Sequence, residues 1–151
     1  MIKNLANFQK KIGINFHNQK LLTKCFTHKS YNPVENNEKL EFLGDRVLGL
    51  IISKHLLDTF PQDKEGVLDK KFASLVNKKK CLQIANKIGL NRFIQVGNQM
   101  NNKENKIQPK ILSDCCEALI GGIYLDQGIK TTEAFVLKHW NFDFKSDFSK
   151  I

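Results

Sequence analysis

At 151 residues the chain has the length of one ordinary domain, enough to bury a core without disulfides or a structural metal. Twenty-four Lys plus Arg against 15 Asp plus Glu leave a formal charge of +9, which favours a polyanionic partner, nucleic acid first among them. Cys25, Cys81, Cys115 and Cys116 form no Cys-x-x-Cys pair and His17, His28, His55 and His139 are scattered, which argues against a zinc site and for a reducing cytosol. The first residues lack the apolar stretch of a signal peptide and no run approaches a membrane span, so a soluble cytoplasmic protein is expected.

Helical spacing dominates in chain order. Leu5, Phe8 and Ile12 make one short stripe and Leu21, Leu22, Cys25 and Phe26 a second, giving two small helices before residue 27. A long helix is predicted from about Asn37 to Leu57, stopping at Phe60-Pro61, where proline disfavours continuation. Being apolar almost all round, it is expected to be the central helix. Residues 63–77 read as an amphipathic helix with Val67, Leu68, Phe72, Leu75 and Val76 inward, followed by one through Leu82, Ile84, Ala85 and Ile88 that ends at Gly89. Residues 97–110 are polar and read as a mobile loop, and two further helices follow near 111–125 and 129–140. With no alternating run long enough for a sheet, the fold class is all-α. The domain is placed at 1–140, and 141–151 reads as a C-terminal tail or the start of a linker.

The acids are placed unusually. Glu41 and Asp45 interrupt one apolar helix and Asp114 and Glu117 another, although carboxylates are rarely put in such settings without a partner. Glu38, Glu41 and Asp45 lie at i, i+3, i+7, which stacks them along one stripe, and Asp114 and Glu117 repeat the i, i+3 spacing. If the two stripes face each other, the converging carboxylates need a cation, and an all-oxygen set suits Mg2+ or Mn2+. Metal-assisted phosphodiester hydrolysis is commonly built this way. The lysines, six of them within residues 1–34 and another run at Lys78, Lys79 and Lys80, would attract a phosphate backbone. Glu38 and Glu65 equally suit helix N-termini, where carboxylates are favoured. Phe42 reads either as core or as a side chain projecting into a partner subunit.

The segment Asn37-Glu-Lys-Leu-Glu-Phe-Leu-Gly-Asp-Arg-Val-Leu48 resembles the signature of the ribonuclease III family. Phe26-Thr-His-Lys-Ser-Tyr31, Phe60-Pro61, Glu65-Gly66, Leu75-Val-Asn77 and the run from Ile111 to Asp126 extend the resemblance over most of the chain. The resemblance implies an all-helical endonuclease domain acting as a two-fold homodimer, isologous by symmetry. It implies Mg2+ as cofactor, with Mn2+ able to substitute, and double-stranded RNA as substrate, cut to 5′ phosphates, 3′ hydroxyls and two-nucleotide 3′ overhangs. Ribosomal-RNA precursors and other transcripts undergoing processing are plausible targets. By motif position, Glu41, Asp45, Asp114 and Glu117 are the metal-binding set, with Asp45 and Glu117 catalytic. Glu38 and Glu65 position RNA or support the site, and Phe42 inserts into the other subunit.

Three features depart from the family pattern. Bacterial members continue into a double-stranded-RNA-binding domain that these 151 residues do not include, so weaker and more salt-sensitive RNA binding is expected. Met100 stands where some relatives carry an acid, and Lys110 where a small polar residue is commoner; both bear on substrate preference. Arg46, after Asp45, is a tolerated variation able to pair with an acid or a phosphate. Two competing readings are a nuclease-fold protein that binds structured RNA without cutting it, and an all-α nucleotide pyrophosphohydrolase with paired Glu-x-x-Glu motifs. Retention of all four carboxylates weighs against the first, and the long spacing between the acidic pairs against the second.

Overall fold

A computed structural model of the chain describes residues 4–98, 106–141, 148 and 151. Among the described residues seven α-helices run in order: α1 (Leu5–Ile12), α2 (Gln19–Cys25), α3 (Glu38–Thr59), α4 (Glu65–Leu75), α5 (Lys78–Ile88), α6 (Pro109–Gln127) and α7 (Ile129–His139), with a 3-10 turn at Leu90–Arg92. Among the described residues the extended backbone pairs only in one isolated bridge between Thr27 and Gln95. The all-α expectation holds.

Local chemistry sets the ends of these helices. The side chains of Asn4, Asn18 and Asn77 each accept a backbone N–H at the start of α1, α2 and α5, satisfying donors that a helix leaves unpaired. Gly89 ends α5 in the left-handed region at φ 74°, where a Cβ would be strained. The start of α3 is fixed from outside: Asn37 donates its side-chain amide to the Cys25 carbonyl at 3.1 Å, and Asn36 accepts the Glu38 N–H at 3.1 Å.

The central helix is α6, not α3 as its apolar sequence led one to expect. Every residue of α6 from Ile111 to Ile123 is buried, wrapped by α3, α5, α7 and α2. α3 gives one face to that core through Leu40, Val47, Leu48, Ile51, Ile52 and Leu56, but leaves Phe42, Leu50 and Leu57 open to solvent.

α4 is shorter and looser than predicted. It begins at Glu65, after Lys64 in extended backbone, with Asp63 outside it accepting Lys71 Nζ at 2.6 Å, and it ends at Leu75. Leu75 is buried and Leu68, Phe72 and Val76 are partly so, whereas Val67 faces outward, contrary to the inward placement its spacing suggested. In the terminal segment, Phe148 packs edge-on against Phe60 with ring centroids 5.9 Å apart, and Lys71 lies over the Phe60 ring at 3.4 Å. The Met100 position and the middle half of the polar loop, residues 99–105, lie outside the described residues, and Pro109 and Lys110 already belong to α6.

α3 and α6 pack backbone against backbone, and two glycines permit it. A Cβ on Gly44 would collide with the main chain of Glu117, and one on Gly121 with the carbonyl of Leu40. Backbone therefore lies on backbone where the two helices cross, a separation that side chains would forbid. Glu41 and Asp45 flank Gly44 in α3, and Glu117 lies on the facing surface of α6, so this crossing is what brings the two acidic stripes together.

Candidate functional site

Glu38, Glu41, Phe42, Asp45, Arg46, Lys78 and Glu117 line an open cleft of about 390 Å³ over the α3–α6 crossing. Its floor is acidic and deep at Glu117, whose side chain is 5% exposed, and Asp114, 12% exposed, meets the cleft through Lys78. Glu41 is half-buried at the wall and Asp45 lies at the rim.

One cation organises the floor. Lys78, the first residue of α5, places Nζ 2.8 Å from Asp114 Oδ1, 2.8 Å from Glu117 Oε1 and 3.6 Å from Glu41 Oε1. A second ammonium, Lys110, reaches forward one helical turn along α6 to the other Asp114 oxygen at 2.6 Å. At the rim, Arg46 stacks its guanidinium 3.9 Å above the Phe42 ring and pairs with Asp45 at 3.5 Å.

Charge is crowded here. Burial, and then the neighbouring Asp114 charge, raise the Glu41 carboxyl above its usual range. Burial also raises Glu117; Lys78 opposes the shift, while Asp45 and Glu41 add to it. Burial alone would raise Asp114 too, but its hydrogen bonds to Lys110 and Lys78 prevail and hold it below the ordinary value. Burial would depress the Lys78 ammonium, yet its bonds to Asp114 and Glu117 carry it well above a normal lysine. Two ammonium groups thus answer three carboxylates, and the Asp45 charge adds to the repulsion that Glu117 feels.

The structure brings Glu41, Asp114 and Glu117 around one point and puts Asp45 and Glu38 in the same cleft. Glu65 stands apart, beside Leu57, Leu68 and Phe72, so the chain does not bring it to the carboxylates. Phe42 is 62% exposed, which removes the core reading. Sequence reasoning missed Lys78 as a site residue, having read it as one of three lysines in a charged run. Lys110 had been noted only for substrate preference, although its i, i+4 spacing to Asp114 was a legible signal.

In chemistry the donors suit a hard divalent ion: they are oxygen-only, negatively charged and under-compensated. In position they do not yet form a cage. Among the described residues no three of His, Cys, Asp or Glu are grouped so as to grip a metal directly, and the Lys78 ammonium occupies the point on which Glu41, Asp114 and Glu117 converge.

The domain is all-helical, and its helices α3 and α6 cross on glycines beneath an acidic cleft. The Ribonuclease-III-like family model matches residues 18–141, and the chain belongs to that family. It is 57% identical over 141 residues to Ribonuclease 3 of Pelagibacter ubique, covering 93% of this chain and 63% of that protein. It is 40% identical over 137 residues to Ribonuclease 3 of a Nitratiruptor species, covering 91% of this chain and 61% of the relative. The chain therefore spans a little under two thirds of the length of these relatives. The nuclease domain of ribonuclease III from Campylobacter jejuni superposes with a TM-score of 0.87 at 37% identity, covering 97% of this chain and 99% of that one. A Dicer from Pichia stipitis, at 23% identity and a TM-score of 0.68, shares the fold.

Proposed function

We propose that residues 1–140 form the catalytic domain of a divalent-metal-dependent endoribonuclease that hydrolyses phosphodiester bonds in double-stranded RNA. The observation that carries this reading is the convergence of Glu41, Asp114 and Glu117 on one point in a chain of the ribonuclease III family, with Asp45 in the same cleft. Glu41, Asp45, Asp114 and Glu117 would hold Mg2+, or Mn2+ in its place. The ion would supply Lewis-acid activation of the scissile phosphate and of the attacking water.

The chain's own residues do the rest. Glu117, deep and desolvated, and Asp45, at the open rim, fix the two ends of the acidic floor. Glu38 stands where RNA would cross the rim, and the lysine-rich surface draws the phosphate backbone toward a cleft that its carboxylates would otherwise repel. The exposed Phe42, Leu50 and Leu57 of α3 suit a two-fold interface, which would bring the partner's copy of Glu65 within play. A related Campylobacter jejuni nuclease domain is described as having a region involved in dimer formation. Two symmetry-related sites would cut the two strands with a stagger, leaving 5′ phosphates, 3′ hydroxyls and two-nucleotide 3′ overhangs. Precursors of ribosomal RNA in the cytoplasm are the natural substrates for such an activity.

The test is incubation of an end-labelled RNA duplex at low salt with Mg2+ or with chelator, using the parent protein, Asp45→Ala and Glu117→Ala. Staggered products that need both Mg2+ and both carboxylates support the proposal. Binding without cutting by a folded, metal-supplied protein would replace it with a non-catalytic RNA-binding role.

A further inference from the structure

The position of Lys78 is costly on local grounds. It opens α5, and a cation in the first turn faces the positive end of the helix dipole. Lys79 and Lys80 crowd the same turn with like charge. What holds the ammonium there is tertiary: Asp114 and Glu117, 36 and 39 residues away in sequence, each at 2.8 Å, with Glu41 behind them at 3.6 Å. The stem remains 57% exposed, so the side chain has an open path out of the cleft.

If these carboxylates hold a divalent ion, as the proposed function requires, that ion and the ammonium want the same point. An ammonium keeps its oxygens at hydrogen-bond distance, whereas Mg2+ draws them to roughly 2.1 Å, and two cations sharing three carboxylates would repel each other strongly in so buried a place. We propose that Lys78 is a resident counter-ion. It fills the metal's place in the metal-free protein, keeps Glu41, Asp114 and Glu117 folded against one another, and is displaced toward solvent when the ion enters. Metal uptake at this site is then an exchange of one cation for another. Lys110 takes no part in the exchange, because it holds the outer oxygen of Asp114.

The experiment compares the parent with Lys78→Met, which keeps the stem and removes the charge, and with Lys79→Met, which removes the same charge from the same turn. Thermal unfolding is followed in chelator and Mn2+ binding by calorimetric titration. The inference predicts that Lys78→Met melts lower than the parent in chelator and binds Mn2+ about tenfold more tightly, the equivalent of about 1.4 kcal/mol. Mn2+ should also raise its melting temperature by more than it raises the parent's, while Lys79→Met follows the parent in both respects. Equal melting in chelator, or Mn2+ affinity that is unchanged or weakened, overturns the counter-ion role. Failure of the metal-site reading looks different: no variant binds Mn2+ at all, and the exchange falls with it even if the chelator melts separate as predicted.

Discussion

Replacing Gly44 with Ala tests how the site is assembled. The added methyl would be driven into the main chain of α6 at Glu117, with the Gly121 amide 2.9 Å away. Neither neighbour is a side chain able to rotate aside, so the helices must part. Overpacking in cores costs about 1–3 kcal/mol, and the rigid backbone here puts Gly44→Ala at the upper end. Gly66, inside α4, has nothing within 4 Å of a built Cβ, so Gly66→Ala gains helix propensity without collision and should be neutral or stabilising by up to about 1 kcal/mol. The same chemical change at two helical glycines should therefore differ by about 3 kcal/mol, or roughly 6–12 °C in melting temperature for a chain of this length. Thermal and urea unfolding of both variants measure it. A Gly44→Ala protein as stable as Gly66→Ala would refute the close-crossing account.

Two further outcomes follow from particular side chains. His139 has both ring nitrogens buried without a hydrogen-bond partner; burial, then Lys87 and Lys138, lower its pKa from 6.5 to about 4. The folded protein thus resists a proton that the unfolded chain accepts, so the stability contribution is complete above about pH 6.5 and is lost as pH falls toward 4. Discounted for partial solvent access, the loss is about 1–2 kcal/mol, and His139→Leu should remove that part of the acid sensitivity when urea midpoints are compared at pH 7 and pH 4.5. Phe42→Ala, at an exposed position, should leave the subunit's own stability within about 0.5 kcal/mol while weakening self-association in sedimentation; an unchanged dimer would count against the α3 interface.

Much of this organisation was legible because it rests on short-range pattern. The Leu5, Phe8, Ile12 stripe is buried as its period requires, and α5 stops at Gly89. The acids of α3 and α6 could be paired in advance because helical spacing fixes which residues share a stripe. What escaped depended on long-range packing. The apolar content of α3 could not distinguish core from interface, so α6 took the centre while Phe42, Leu50 and Leu57 remained outside. Val67 follows the period of its helix but points away, because α4 is anchored mainly through Leu75. Lys78 was hidden by its own neighbours: three consecutive lysines read as a solvated charge, and only the fold selects the one that reaches Asp114 and Glu117.

The most direct test of the central claim is to locate Mn2+ by anomalous diffraction in crystals grown with the ion. The account predicts a peak among the carboxylates of Glu41, Asp114 and Glu117, at roughly 2.1–2.2 Å from their oxygens, with the Lys78 ammonium moved outward. Crystals grown in ample Mn2+ that show no peak in the cleft, with Lys78 still seated between Asp114 and Glu117, would contradict it.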